Sequence, residues 1–260
     1  MSYSIDLKNV FSLKGKVALV TGASAGIGLG VARVLAVTGG ATVYALGRRD
    51  AAEYQGELDA IAAEGGTVIP VKGDVCSEAS INDVFSRIEQ EAGGVDILIN
   101  NAGTTLPKTV EETSHEEWDF IIDTNLTSGF LCAKRAFAHM KQQNWGRIVQ
   151  IGSVVGHKGA IKGHIAYAAT KSGQFGLTKT LAITGAPHNI TSNTVAPGLV
   201  RTPLIVVAHG EQGVKDLEAQ IPLGMSEPED IGMVSLFLCT EAARHITAAT
   251  IDINGGVYTH

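Results

Sequence analysis

Short apolar runs alternate with helix-like segments along almost the entire chain, and this alternation constrains the fold more than any other feature. Strands that alternate with helices form a mostly parallel sheet. Right-handed crossovers restrict the topology to a doubly wound sheet with helices on both faces. The sequence therefore predicts a single-domain α/β fold of about seven mostly parallel strands: 16–20, 41–46, 67–72, 95–99, 147–151, 189–195 and 249–253.

Length and composition fit one large domain. The chain has 260 residues, of which 45% are hydrophobic and 31 are glycine. We expect residues 1–14 to form an N-terminal arm and residues 15–260 the domain itself. The longest predicted helix covers about 114–142, and Ser114 and Glu117 at its start match a capping box.

Charge and cysteine usage narrow the range of partners. The net charge of −6 argues against nucleic acid and against an anionic membrane surface. Cys76, Cys132 and Cys239 are few and far apart, which favours a reducing compartment over a disulfide framework. We find no signal peptide and no apolar run near the ~20 residues of a membrane span. The sequence therefore predicts a cytoplasmic protein without a membrane or nucleic-acid partner.

The polar and glycine-rich motifs lie directly after predicted strands. Ligands of doubly wound sheets bind beyond the carboxyl ends of the strands. The motifs are therefore expected to share one site: 22–28, 47–49, Asp74, 100–103, Ser153 and 197–198.

A glycine turn follows the first strand. Such a turn lets backbone amides approach a pyrophosphate at the start of a helix. Its spacing, with glycine at 22, 26 and 28, differs from G-x-G-x-x-G, and tight strand-to-helix packing is the alternative. The turn predicts cofactor contacts from Gly22, Ser24, Ala25, Gly26, Ile27 and Gly28.

The second strand ends in Gly47, Arg48 and Arg49, without a carboxylate at its tip. An acidic residue there would bind the ribose 2′-hydroxyl of NAD, whereas arginines suit the 2′-phosphate of NADP. The pair favours NADP(H) over NAD(H), although a solvated arginine pair is the alternative. Asp50 either neutralises one arginine or caps the next helix.

Tyr167 and Lys171 are four residues apart, so a helix places them on the same face. A free tyrosine has a pKa of about 10. A neighbouring ammonium favours phenolate, so we expect Lys171 to lower the pKa of Tyr167 and make it a proton donor near neutral pH. Packing and solubility are the alternative explanation of the pair.

Together these residues resemble the short-chain dehydrogenase/reductase family, over essentially the whole chain from Lys16 to Gly256. The matching motifs occur in the family's order: TGxxxGxG at 21–28, NNAG at 100–103, Asn125, Ser153, Tyr167-x-x-x-Lys171, and Pro197-Gly198 with Thr202. The resemblance implies a Rossmann-like fold, a nicotinamide cofactor, no metal, and a homotetramer or dimer.

The resemblance also implies the role of each catalytic residue. Asn125 would hold a water of the proton relay, and Ser153 would bind the substrate oxygen. Tyr167 would transfer the proton, while Lys171 would bind the nicotinamide ribose. The further cofactor contacts implied are Asp74 at the adenine, Val75, Asn101, Ala102, Gly103, Pro197, Gly198, Val200 and Thr202.

The reaction expected is hydride transfer between nicotinamide and a ketone or secondary alcohol, with a small sugar, polyol or keto compound as substrate. A 3-oxoacyl-(acyl-carrier-protein) reductase is the alternative. A non-catalytic nucleotide-sensing or scaffold protein is the alternative from another class.

Residues 199–224 are expected to form a substrate loop, with 199–212 as a flexible lid. Substrate contacts are predicted for Ser153, His157, His164 and Leu204.

Overall fold

The computed structural model describes residues 6–160 and 163–259. Its centre is one seven-stranded sheet in the order β3-β2-β1-β4-β5-β6-β7. All neighbouring strands pair in parallel. The strands are β1 (Val17–Thr21), β2 (Thr42–Gly47), β3 (Thr67–Lys72), β4 (Ile97–Asn100), β5 (Gly146–Ile151), β6 (Ile190–Pro197) and β7 (Thr250–Ile253). The predicted α/β fold is confirmed.

Helices cover both faces of the sheet. They are α1 (Gly26–Val37), α2 (Gln55–Ala63), α3 (Glu78–Ala92), α4 (His115–Ile122), α5 (Ser128–Gln143), α6 (Val155–Lys158), α7 (Ile165–Gly185), α8 (Pro203–Glu218) and α9 (Pro228–Cys239). Helices α1 and α9 pack on one face, whereas α3 and α5 pack on the other.

The two cores follow the alternation of side chains along each strand. In β4, Ile97 and Ile99 face the core beneath α1 and α9, whereas Leu98 faces the core beneath α3 and α5. Strands β1 and β4 are buried and read as short apolar runs, which is why the sequence pattern located them.

The helix predicted over 114–142 is divided in the structure. The capping box of Ser114 and Glu117 is present at the start of α4. Residues Asp123–Thr127 then form a π turn before α5 begins. The apolar pattern continues through this turn, so the sequence does not signal it.

The segment predicted as a flexible loop at 199–212 contains most of helix α8. Thr202 caps this helix by accepting a hydrogen bond from the Ile205 amide at 3.4 Å, and Pro203 occupies its first turn. Gly210 has φ 66° and kinks the helix within its length. The predicted substrate contact Leu204 lies in α8, but its side chain is outside the described part of the structure.

The end of the N-terminal arm packs against the domain. Leu13 is buried, and its amide donates a hydrogen bond to the Gly39 carbonyl at 2.8 Å. Residues 1–5 of the predicted arm lie outside the described residues. No helix in the described ranges is both long enough and apolar enough to cross a membrane.

Candidate functional site

The carboxyl ends of β1 and β4 are joined by a dense set of hydrogen bonds. The Asn101 side chain donates to the carbonyls of Thr21 at 2.9 Å and Gly22 at 3.1 Å. The Thr21 hydroxyl accepts from the amides of Asn101 and Ala102, both at 3.0 Å. The predicted Asn101 and Ala102 therefore lie against the glycine turn and fix its position.

The glycine turn combines close packing with unpaired backbone donors. A Cβ at Gly28 would lie 2.3 Å from the Gly22 carbonyl oxygen, and Gly22 itself has φ 67°. Helix α1 starts at Gly26, and no side chain caps its first turn. Its leading amides are therefore available to an anion at the strand edge, which fits a pyrophosphate.

The two arginines after β2 have different environments. Arg49 donates to the Ser24 carbonyl at 2.9 Å and to the Glu53 carbonyl at 2.7 Å. Arg48 is exposed, and no described residue forms an ion pair with it. Asp50 accepts a hydrogen bond from Lys72 at 2.8 Å.

The residues after β3 show the turn-capping contacts of a short loop. Asp74 accepts a hydrogen bond from the Cys76 amide at 2.9 Å, and its own amide donates to Ser80 at 2.9 Å. The Cys76 thiol lies 3.2 Å from the Thr124 hydroxyl. The loop that contains Asp74 and Val75 therefore touches the π turn through Cys76.

Ser153 and Tyr167 meet at the end of β5. Ser153 is 8% exposed, and its hydroxyl accepts from the Val155 amide at 3.1 Å. It also forms a side-chain hydrogen bond with Tyr167. The serine hydroxyl and the phenol are therefore neighbours, an arrangement in which both can bind one oxygen atom.

Lys171 is buried beneath this pair. Its ammonium donates to the carbonyl of Ile151, the last residue of β5, at 2.7 Å. It lies 5.4 Å from the centroid of the Tyr167 ring. Residues 167 and 171 thus share one face of α7, as their spacing predicts.

Burial controls both ionisations. Removal from water lowers the pKa of Lys171 from 10.5 to about 8. Removal from water also raises the pKa of Tyr167 above 10.0, and the hydrogen bond with Ser153 opposes that rise. The Tyr167 pKa is therefore raised rather than lowered, and the largest cause is desolvation of the phenol.

Asn125 lies in the middle of the π turn and is 1% exposed. Its side-chain oxygen accepts from the Thr104 amide at 2.8 Å. Its side-chain nitrogen donates to the Thr104 carbonyl at 2.9 Å and to the Thr170 hydroxyl at 3.1 Å. The residue therefore links the loop after β4 to α7.

The two histidines predicted near the substrate have different surroundings. His157 lies 3.3 Å from the Asp252 carboxylate, on the side of β7. His164 lies 6.4 Å from Tyr167 between ring centroids, and its Nδ1 is 2.7 Å from the Thr105 hydroxyl. It has φ 61°, an uncommon conformation for a residue with a side chain. His164 therefore borders Tyr167.

The loop after β6 completes the edge. The Gly198 amide donates to the Ile253 carbonyl, and the Val154 amide donates to the Pro197 carbonyl, both at 3.0 Å. Thr202 lies beside Gly26, whose Cβ would meet it at 3.4 Å. Val200 lies in this loop, and Gly103 lies in the loop after β4. The remaining predicted cofactor residues therefore follow the carboxyl ends of β4 and β6.

Sequence reasoning missed the residues that hold this arrangement. Thr170 and Gln174 follow Tyr167 by three and seven residues, so their helical spacing was a readable signal. Thr104 and Thr105 carry no comparable signal.

Within the described residues, no group of three or more His, Cys, Asp or Glu side chains has the geometry of a metal site.

Comparison with known proteins decides the family. A family model described as "Enoyl-(Acyl carrier protein) reductase" matches residues 22–258. A short-chain type dehydrogenase/reductase from Mycobacterium marinum superposes with a TM-score of 0.87 at 34% identity, covering 98% of this chain and all of that one. The chain belongs to the short-chain dehydrogenase/reductase family.

Named relatives agree with this assignment. A 3-oxoacyl-[acyl-carrier-protein] reductase of Aquifex aeolicus is 41% identical over 252 residues, covering 95% of this chain and 98% of that protein. The D-beta-hydroxybutyrate dehydrogenase of Cupriavidus necator is 37% identical over 256 residues, covering 94% and 98%. This chain is therefore an NAD(P)-dependent oxidoreductase that acts on CH–OH or keto groups, and the non-catalytic alternative is set aside.

The buried ammonium makes stability depend on pH. Between the folded pKa of about 8 and the unfolded value of 10.5, the unfolded chain binds more protons at Lys171 than the folded chain does. Wild-type stability should therefore rise, relative to Lys171→Met, as the pH increases through this range. From pH 7 to pH 9.5 we expect a relative gain of about 2 kcal/mol.

Denaturant unfolding of both proteins at the two pH values measures this gain. Lys179→Met, which removes an exposed lysine from the same helix, is the control and should keep the wild-type pH dependence. Parallel pH dependences for Lys171→Met and wild type would show that the ammonium is not held in a desolvated position.

Proposed function

We propose that the enzyme reduces the 3-keto group of 3-oxoacyl thioesters, with NADPH as the preferred cofactor. The observation that carries this proposal is the Ser153, Tyr167 and Lys171 arrangement in a chain 41% identical to a 3-oxoacyl-[acyl-carrier-protein] reductase. The names of both relatives refer to a 3-oxo or 3-hydroxy acyl group. They support this substrate class over a small sugar or polyol.

In this proposal, Ser153 and Tyr167 bind the keto oxygen and polarise the carbonyl. Tyr167 donates its proton to that oxygen, so the product is the 3-hydroxy compound and the phenolate recovers a proton from solvent. Lys171 stabilises the phenolate that forms. When bound, the nicotinamide supplies the hydride that reaches the carbonyl carbon.

The residues proposed to hold the cofactor lie along the strand edge. The amides at the start of α1 would hold the pyrophosphate, and Lys171 would bind the nicotinamide ribose. The remaining contacts are assigned by region: Gly22–Gly28 at the phosphates; Asp74 and Val75 at the adenine; Asn101, Ala102 and Gly103 on the adenosine side; and Pro197, Gly198, Val200 and Thr202 at the carboxamide.

For the substrate, His164 is the favoured neighbour because its ring borders Tyr167. His157 and Leu204 stay predictions.

We propose a homotetramer or dimer, which is supported by three exposed apolar side chains on α4, α5 and α7: Phe120, Phe130 and Ile183. A cytoplasmic location is supported by three cysteines without disulfides.

A substrate panel tests the proposal. Initial rates with NADPH should be highest for acetoacetyl-CoA, used as a soluble 3-oxoacyl thioester, compared with acetoacetate, simple ketones and ketoses. Crotonyl-CoA, an enoyl thioester, should be inactive because Tyr167 and Ser153 are arranged around an oxygen rather than a carbon–carbon double bond. Higher kcat/KM for a ketose or for crotonyl-CoA would overturn the proposed substrate class.

The NADP preference is supported by the environment of Arg48. Arg49 already donates to two backbone carbonyls, and Asp50 accepts from Lys72, so Arg48 is the better placed to bind a 2′-phosphate. A carboxylate at position 47 could reach the ribose. However, a Cβ at this position would lie only 2.7 Å from the Ser24 hydroxyl, so the backbone here does not accommodate an acidic side chain without a shift.

Arg48→Asp should lower kcat/KM for NADPH and raise it for NADH, so that their ratio falls by at least about tenfold. Steady-state kinetics with both cofactors measure the change. Arg49→Gln is the comparison, because it should lower stability through lost hydrogen bonds while the cofactor ratio changes less. If Arg49→Gln changes the ratio more than Arg48→Asp does, the 2′-phosphate assignment moves to Arg49.

A further inference from the structure

Gln174 connects the catalytic helix to the π turn. Its side-chain nitrogen donates to the backbone carbonyl of Asn125 at 2.8 Å, and the residue is 1% exposed. Asn125 lies in the centre of the π turn Asp123–Thr127. π turns are rare and occur frequently at functional sites. A side chain of α7 therefore determines where this turn lies.

The face of α7 that carries Gln174 is also the catalytic face. Positions 167, 170, 171 and 174 follow the i, i+3, i+4, i+7 spacing of one helical side. Thr170 accepts from the Asn125 side chain at 3.1 Å and donates to the Tyr167 carbonyl at 2.7 Å. Asn125 is thus bound twice to the helix that carries the proton-transfer residues.

The same asparagine is bound to the loop that follows β4. Both its side-chain oxygen and its side-chain nitrogen are engaged by the backbone of Thr104. The backbone carbonyl of Asn125 and both ends of its side-chain amide therefore have protein partners. This arrangement is suited to holding two backbone segments together, and the relay-water role of Asn125 stays a prediction.

Stability alone does not account for a glutamine at position 174. Its side-chain oxygen is buried and has no hydrogen-bond partner among the described residues. An unpaired buried polar atom costs about 1–3 kcal/mol, which an apolar side chain of similar size would avoid. The unpaired side-chain oxygen of Gln174 therefore lowers stability, while the side-chain nitrogen donates to the Asn125 carbonyl.

We propose that Gln174 is a positioning residue, which through Asn125 fixes the catalytic helix against the loop after β4. It touches neither substrate nor cofactor. Its loss should misplace Tyr167 relative to the bound reactants, and a displacement of about 1 Å can cost a hundredfold in rate. This inference rests on the proposed proton transfer from Tyr167.

Gln174→Leu tests the proposal. We expect kcat to fall by at least about tenfold while the KM for NADPH changes by less than about threefold. The solvent deuterium isotope effect on kcat should increase, because proton transfer becomes slower relative to the other steps. A role in folding alone would not change that isotope effect.

Thr178→Val is the matched control. Thr178 is one turn further along the same buried face, and its hydroxyl lies 2.7 Å from that of Thr194. The substitution removes a buried hydrogen bond without touching Asn125. We expect a similar decrease in the thermal midpoint, with kcat within about twofold of wild type.

Each outcome has a defined meaning. Equal kcat values for Gln174→Leu and wild type, or equal losses in Gln174→Leu and Thr178→Val, would overturn the proposal. If Gln174→Leu does not fold, Gln174→Met provides the same test with a more flexible apolar side chain. Because all variants are compared with the wild type on its best substrate, an error in the substrate class leaves this comparison intact.

Discussion

Burial of the Lys171 ammonium is the constraint on which the catalytic arrangement depends. A buried charge costs several kcal/mol unless hydrogen bonds replace its water. The carbonyl of Ile151 provides one such bond at 2.7 Å, and this ties α7 to the end of β5. The same contact places Tyr167, one turn earlier, beside Ser153. Lys171 therefore supplies a positive charge near Tyr167 and also holds α7 against the end of β5.

The pKa directions describe a site prepared for a bound reactant. Burial stabilises the phenol of Tyr167 in its protonated form and lowers the pKa of Lys171 to about 8. A phenol that keeps its proton can donate that proton when the keto oxygen becomes negative. In the proposed reaction, the Lys171 ammonium stabilises the phenolate as it forms. The site thus avoids holding two separated charges before the reaction begins.

Much of the fold was readable because the strands are buried on both faces and the motifs follow them directly. The Tyr167 and Lys171 spacing also predicted their shared face correctly. The π turn was not readable, because the capping box at Ser114 and the apolar pattern fit a continuous helix. Helix α8 carried a usable signal, since Thr202 followed by Pro203 is typical of a helix start. The Tyr167 pKa depends on how α7 packs against β5, which no local pattern records.

In the proposed reaction, Tyr167 transfers the proton, Ser153 helps to bind the keto oxygen, and Lys171 stabilises the phenolate. The most direct measurement compares turnover and NADPH affinity in wild type and Tyr167→Phe, which keeps the ring and removes the hydroxyl. We expect kcat to fall by at least about a thousandfold while the dissociation constant of NADPH, measured by fluorescence titration, changes by less than about threefold. Turnover within tenfold of wild type, with the cofactor still bound, would contradict it.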